Sequence, residues 1–208
     1  MFQWRQQPQA EEAARSGLER FVSAQNSGAG HGVPFASALA ELQAGVKQTH
    51  WVWYCFPQFI DRGGSMNETY QIHDPAEAVE FLRHEVLGPR YLELAGAGLT
   101  ALQAGATAQQ VMGTTIDAKK FHQSVSLFWL AADHVALQPA AQQLGETLDR
   151  IATPPVGGGK HWRPAARVDP MTAKRWAAEA PPRPAAVSVA AAAAQPEPEA
   201  ASLPEPQL

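Results

Sequence analysis

Cysteine and charged residues are both scarce in this sequence of 208 residues. The single cysteine, Cys55, excludes an internal disulfide framework and any cysteine-rich zinc or iron–sulfur site. Because it lies among aromatic residues, we predict a buried, inert thiol. Charged residues make up 17% of the chain, and the formal net charge is −4. Proteins that bind nucleic-acid phosphates are usually basic, so we expect no nucleic-acid partner.

Long apolar runs and the common catalytic signatures are also missing. No apolar run approaches the roughly 18 residues of a membrane span, and the opening segment lacks the apolar core of a secretory signal. We therefore expect a cytoplasmic protein with no membrane partner. The sequence has no Walker phosphate loop, no GxGxxG, no HExxH, no CxxC and no GxSxG. The seven histidines lack metal-ligand spacing, and we predict neither a metal nor another cofactor.

Proline is distributed unevenly, with six of the 17 before residue 153 and eleven after it. The later part of the chain also has few large aliphatic residues, so it offers little apolar surface to offset the entropy of ordering. We predict one folded domain over residues 10–152 and a disordered, Pro- and Ala-rich tail over residues 153–208. Two basic–aromatic clusters, at 160–163 and 174–176, are interpreted as solvated linker or as a docking motif for a protein partner.

Helical periodicity dominates the predicted domain. Apolar residues recur at helical spacing behind capping signals such as Asp74, Thr107 and Asp117, and no hairpin signal interrupts them. The fold class is predicted to be all-α, a compact bundle of about six to seven helices. The aromatic segment 47–59 is ambiguous, because its Trp, Val and Tyr content favours a strand. We prefer a short buried helix there, since no other strand is available for pairing.

The same segment carries a family resemblance. Residues 45–58 read GVKQTHWVWYCFPQ, which resembles the signature G-x-K-x-S-H-W-M-W-F-x-F-P-Q of DUF1810, a bacterial family of unknown function that is often mislabelled calpastatin. Asp117, Lys120 and Ser124 resemble its closing motif D-x-x-K-x-x-S-S-M-T-L-F, although Gln123 replaces the first serine. The resemblance covers about residues 18–130 and implies a mainly helical domain without an established reaction.

Polar residues beside dense aromatics need either hydrogen-bond partners or a ligand, because unpaired burial costs about 1–3 kcal/mol per group. If two such polar stripes meet, Lys47 and Lys120 hold an anionic group, a tryptophan forms the wall, and His50 is the candidate catalytic acid or base. The alternative is a structural role, with Asp117 as a helix N-cap. The candidate residues are Lys47, His50, Trp51, Trp53, Gln58, Asp117, Lys120 and Ser124.

These residues favour a small-molecule pocket for a nucleotide-like or sugar-phosphate ligand, which the protein binds or hydrolyses at an N-glycosidic bond. The hydrolytic version rests on analogy with another small helical bacterial family, of the NADAR type, which acts on N-glycosidic ADP-ribose links. The alternative is a non-catalytic protein-interaction scaffold that uses the tail as a flexible tether.

Overall fold

The computed structural model describes residues 7–28, 30, 32–59, 65–153 and 162–184, with side chains for all of these except 7–16 and 65. Within these ranges the chain forms ten helices and no strand, which confirms the all-α class. The count exceeds the six to seven predicted because single-turn helices and a C-terminal helix add to it. The helices are α1 (Gln7–Ser27), α2 (Phe35–Gln43), α3 (Val52–Cys55), α4 (Ser65–Thr69), α5 (Pro75–Arg83), α6 (Leu87–Gln103), α7 (Ala108–Met112), α8 (Thr115–His134), α9 (Gln138–Ala152) and α10 (Pro170–Glu179).

Helix α8 is the centre of the bundle, and α5, α7, α9 and α10 all pack against it. Its buried aromatic side chains meet aromatics from other elements. The ring of Phe121 lies 4.8 Å from that of Phe56, and the ring of Phe128 lies 4.3 Å from that of Tyr91. Such pairs add about 0.5–1.5 kcal/mol to the stability gained from burial alone. One continuous aromatic core therefore joins α8 to α6 and to the segment after α3.

The segment at 47–59 forms a short buried helix, as preferred from the sequence, and the strand alternative is wrong. Helix α3 makes a single turn, and the residues around it are among the most buried of the described chain. Burial raises the pKa of the Cys55 thiol, which keeps it protonated and unreactive. This agrees with its prediction as an inert core residue.

Gly88 and Pro89 predict from the sequence that one helix ends at Leu87 and that the next begins at Pro89, and both of these ends differ in the structure. Helix α5 begins at its expected cap, where Asp74 Oδ1 accepts a hydrogen bond from Glu77 N at 2.8 Å, but it ends at Arg83 and not at Leu87. Helix α6 already begins at Leu87, so the glycine and proline that follow lie in its first turn. Proline is tolerated there because the first amide groups have no intrahelical acceptor.

Asp117 is not the N-cap of α8. That position belongs to Thr114, whose Oγ1 accepts from Asp117 N at 3.0 Å. Thr114 and Asp117 have the spacing of an N-cap and its third helical residue. The carboxylate of Asp117 therefore lies in the first turn and is free to pair with other groups.

Residues 162–184, which the sequence analysis includes in the disordered tail, are folded in the structure and pack against the domain. Helix α10 is capped by Asp169, whose carboxylate accepts from Thr172 N at 2.9 Å. Trp176 is only 7% exposed, and its ring lies 5.7 Å from that of His134 on α8. One capped helix with one large apolar anchor is enough to dock on an existing surface, a case that overall composition does not show. Residues 154–161 and 185–208 lie outside the described residues.

None of the described helices is both long and apolar enough to cross a membrane.

Candidate functional site

The predicted site is centred on an ion pair between the two polar stripes. Lys47 Nζ lies 2.6 Å from Asp117 Oδ2, and the Lys47 side chain is only 5% exposed. The backbone of Lys47 is also fixed, because its N–H donates to Val111 O at 2.7 Å. The ammonium group lies 5.4 Å from the centre of the Trp51 ring. The positive charge of Lys47 is therefore compensated by Asp117 inside the protein.

The positive charge of Lys120 is less well compensated by Asp117 than that of Lys47. Its Nζ lies 3.9 Å from Asp117 Oδ1, and it stands 4.5 Å from the centre of the Trp53 ring in a cation–π arrangement. Desolvation by burial lowers the pKa of Lys120; Asp117 opposes this shift, and the Lys47 charge adds to it. One carboxylate thus faces two ammonium groups, and Lys120 has the longer contact.

Glu41, which the sequence did not single out, organises the segment before α3. Its carboxylate accepts from Trp51 Nε1 at 2.8 Å, from Gln48 N at 2.7 Å, and from both the N–H and the hydroxyl of Thr49. Desolvation by burial acts to raise the pKa of Glu41, but these hydrogen bonds outweigh it and the pKa is lowered. The Trp51 indole is therefore a structural core group with a satisfied N–H.

A cleft of about 520 Å³ opens beside Lys120. It lies between the chain after α3, helix α4, the first turns of α8 and helix α10. Three of its lining side chains are cationic, one is acidic, four are uncharged and polar, and three are apolar. The lining residues are Gln58, Phe59, Asn67, Ile116, Lys119, Lys120, Gln123, Asp169, Met171, Thr172 and Arg175.

The structure distributes the eight candidate residues over three environments. Gln58 and Lys120 line the cleft, with the Lys47–Asp117 pair and Trp53 next to Lys120. Trp51 and Ser124 are fully buried in the core, and Ser124 Oγ lies 3.1 Å from the hydroxyl of Tyr91. His50 is exposed, with its ring 6.5 Å from that of Trp53, and does not line the cleft.

Several lining residues were not among the candidates. Arg175 belongs to a basic–aromatic cluster that was noted in the sequence but assigned to the tail. Asn67 had no signal at all, yet its Oδ1 atom is buried without a hydrogen-bond partner among the described residues. Buried acceptors are nearly always satisfied, so this one has an unmet capacity for a donor. Among the described residues, no group of three or more His, Cys, Asp or Glu side chains is arranged to hold a metal ion.

Comparison with known proteins gives the family. A family model described as a protein of unknown function (DUF1810) matches residues 15–149. The chain belongs to the DUF1810 family. The crystal structure of the conserved hypothetical protein Rv1873 from Mycobacterium tuberculosis is similar, with a TM-score of 0.55 and 32% identity, covering 64% of this chain and 85% of that one. The search of curated proteins gives no match. The DUF1810 match ends before α10, so this helix lies outside the family domain.

Proposed function

We propose that the cleft between α8 and α10 binds a small anionic molecule of the nucleotide or sugar-phosphate class. The observation that carries this proposal is the half-buried charge of Lys120. An ammonium group with a lowered pKa costs stability unless an anion compensates it. A bound phosphate would supply that compensation at the cleft wall.

The charges around the cleft support an anionic ligand. Asp117 carries one negative charge but lies near two lysines. Its contact with Lys47, at 2.6 Å, is shorter than its contact with Lys120, at 3.9 Å. Lys119 also lines the cleft, and no ion pair joins it to a carboxylate within the described part of the chain. The acidic lining residue, Asp169, is already used as the cap of α10. The balance of charge in the cleft is therefore positive, as a phosphate site requires.

The remaining lining residues suit the non-anionic part of such a ligand. Phe59, Ile116 and Met171 present apolar surface, and the amides of Gln58, Asn67 and Gln123 provide hydrogen-bond donors and acceptors. A cavity of about 520 Å³ falls within the typical range for small-molecule sites. Apolar walls with a few convergent polar groups are the usual composition of such sites.

Binding is proposed here without hydrolysis. Cleavage of an N-glycosidic bond needs an acid or base within reach of the reacting atoms. His50, the candidate for that role, is not a lining residue. Asp169 is the single carboxylate among the described lining residues, and it accepts from both the N–H and the hydroxyl of Thr172.

Isothermal titration calorimetry tests the proposal with charged and neutral forms of the same compounds. We expect the full chain to bind AMP or ribose 5-phosphate and not adenosine or ribose. Lys120→Ala should weaken the binding at least about tenfold, since charge-assisted hydrogen bonds contribute about 1.5–3 kcal/mol each. Lys174→Ala is the control, because Lys174 is exposed on α10 and does not line the cleft.

Equal affinity for the neutral and the phosphorylated compounds would contradict the proposal, as would a Lys120→Ala variant that binds like the wild type. No binding of either phosphorylated probe would overturn it and would leave the protein-interaction scaffold as the remaining hypothesis.

A further inference from the structure

The cleft is not a feature of the family domain alone. One of its walls comes from residues 162–184, which follow the DUF1810 match. This C-terminal segment contributes the lining residues Asp169, Met171, Thr172 and Arg175. Without α10, the positions on α8 and after α3 would face open solvent on that side. The segment therefore decides the shape and part of the charge of the cleft.

The C-terminal segment is fixed to the domain at several separated points. Asp169 N donates to Ser126 Oγ at 2.9 Å, and Arg167 O lies 2.9 Å from His122 Nε2; both partners belong to α8. The buried Trp176 adds the largest apolar contact. Because these contacts precede and follow the lining residues, the wall is held in place before any ligand arrives.

Arg175 is the cation that the C-terminal segment presents to the cleft. Its Nη2 donates to His73 O at 2.6 Å, its Nε forms an ion pair with Glu179 Oε1 at 3.0 Å, and its guanidinium lies 4.6 Å from the centre of the Phe59 ring. These three contacts fix the plane of the group. Its Nη1 has no hydrogen-bond partner among the described residues. A preorganised guanidinium with a spare donor loses little entropy when it binds an anion.

We propose that the C-terminal segment is an integral part of the ligand site and that Arg175 contacts the anionic group together with Lys120. The proposal rests on the proposed function, which it deepens by assigning ligand recognition to a helix outside the family domain. If this helix were absent from the chain, the cleft would keep Lys119 and Lys120 and lose the guanidinium of Arg175. Ligand preference in this chain then depends on both parts of the molecule.

The test compares AMP binding by full-length variants in isothermal titration calorimetry. We expect Arg175→Ala to weaken AMP binding at least tenfold and Arg175→Lys to recover part of it, because lysine keeps the charge and loses the planar geometry. Arg183→Ala is the matched control. Arg183 lies in the same segment and pairs with Asp133, with its side chain 68% exposed, and it does not line the cleft.

Hydrogen exchange gives a second readout that needs no variant. AMP should slow amide exchange in residues 162–184 of the wild type, since a ligand held by Arg175 stabilises the docked state of α10. If Lys120→Ala loses AMP binding while Arg175→Ala binds normally and exchange in α10 is unchanged, this inference is overturned and the proposed function stands. If the wild type binds neither AMP nor ribose 5-phosphate, both are overturned.

Discussion

Lys47 and Asp117 form an ion pair, at 2.6 Å, that is almost removed from solvent, with side chains only 5% and 14% exposed. The two residues are 70 positions apart in the chain, and each lies in one of the two segments that resemble the family motifs. The pair therefore ties the segment before α3 to the first turn of α8. Breaking such a pair is costly, because the remaining charge stays buried without a partner.

The ion pair predicts an asymmetry between its two members. Asp117→Asn leaves two ammonium groups without a carboxylate and should lower the free energy of unfolding by about 3 kcal/mol. Lys47→Met should cost less, because Asp117 can still pair with Lys120. Urea denaturation at pH 7 measures both, with Asp133→Asn as the control at a more exposed pair, where about 0–1 kcal/mol is expected. If Lys47→Met lowers the free energy of unfolding more than Asp117→Asn does, then Asp117 is not the carboxylate that compensates both lysines.

A glycine in the loop before α8 lets the chain approach Lys47. Gly113 has φ +75°, and a Cβ atom built on it would lie 2.7 Å from Lys47 O. Gly113→Ala should therefore lower the free energy of unfolding by about 2–3 kcal/mol, from backbone strain and from the close contact. Gly105→Ala is the control, because Gly105 has φ +98° with open space around it and should lose about 1 kcal/mol. If urea denaturation shows the same loss of unfolding free energy for both variants, the close contact with Lys47 O does not contribute to the cost of Gly113→Ala.

Glu41 should make stability depend on acidic pH. Because its pKa is lowered in the folded state, its contribution is present above the ordinary value of 4.5 and is lost as pH falls through the folded-state pKa. Glu41→Gln should thus destabilise the protein by about 1–2 kcal/mol at pH 7, where hydrogen bonds to a charged acceptor are lost, and by less near pH 3. Denaturation at both pH values measures this, with Glu93→Gln as an exposed control. The same loss at both values would contradict it.

Trp176 anchors the C-terminal helix, so its removal should destabilise the whole chain. Trp176→Ala is expected to lower the free energy of unfolding by about 3 kcal/mol, which corresponds to a drop of roughly 6–12 °C in Tm for a chain of this size. Met171→Ala on the same helix is the control, because Met171 is 59% exposed and should change Tm little. An unchanged Tm for Trp176→Ala would restore the sequence-based prediction that the domain is independent of residues after 152.

Much of the fold could be predicted from local signals. Thr107 caps α7 through a complete capping box, and Phe121 and Phe128 mark the buried stripe of α8 at helical spacing. Docking of α10 could not be predicted, because it depends on one tryptophan that meets a surface formed by other helices. The average composition of a segment does not report such a contact. The end of α5 was misplaced because Gly88 and Pro89 are typical of a helix boundary and here lie inside the first turn of α6.

The candidate site was also predictable only where its contacts are local in the sequence. Asp117 and Lys120 are one turn apart on α8, and their pairing follows from helical spacing. The pairing of Lys47 with Asp117 needed the fold, and the sequence could only suggest that the two stripes meet. Ser124 shows the limit of a motif: it lies almost two turns beyond Asp117 but points into the core, where its hydroxyl meets Tyr91. Motif membership predicts that a residue matters without saying whether it binds a ligand or stabilises the core.

Lys120 gives the prediction that separates a binding residue from a structural one. Burial lowers its pKa below the ordinary value of 10.5, so the unfolded chain binds the proton more tightly and the charge costs stability at neutral pH. Lys120→Met should therefore raise the free energy of unfolding by up to about 1 kcal/mol at pH 7, while it weakens AMP binding at least about tenfold. The gain should shrink as pH rises toward 10.5, because the wild-type lysine then loses its proton on folding.

Urea denaturation between neutral and alkaline pH measures this, with Lys174→Met as the control. A preorganised anion site requires a residue that lowers stability in the free protein and is needed for binding. If Lys120→Met instead destabilises the protein at pH 7, Lys120 is a structural partner of Asp117 and Trp53.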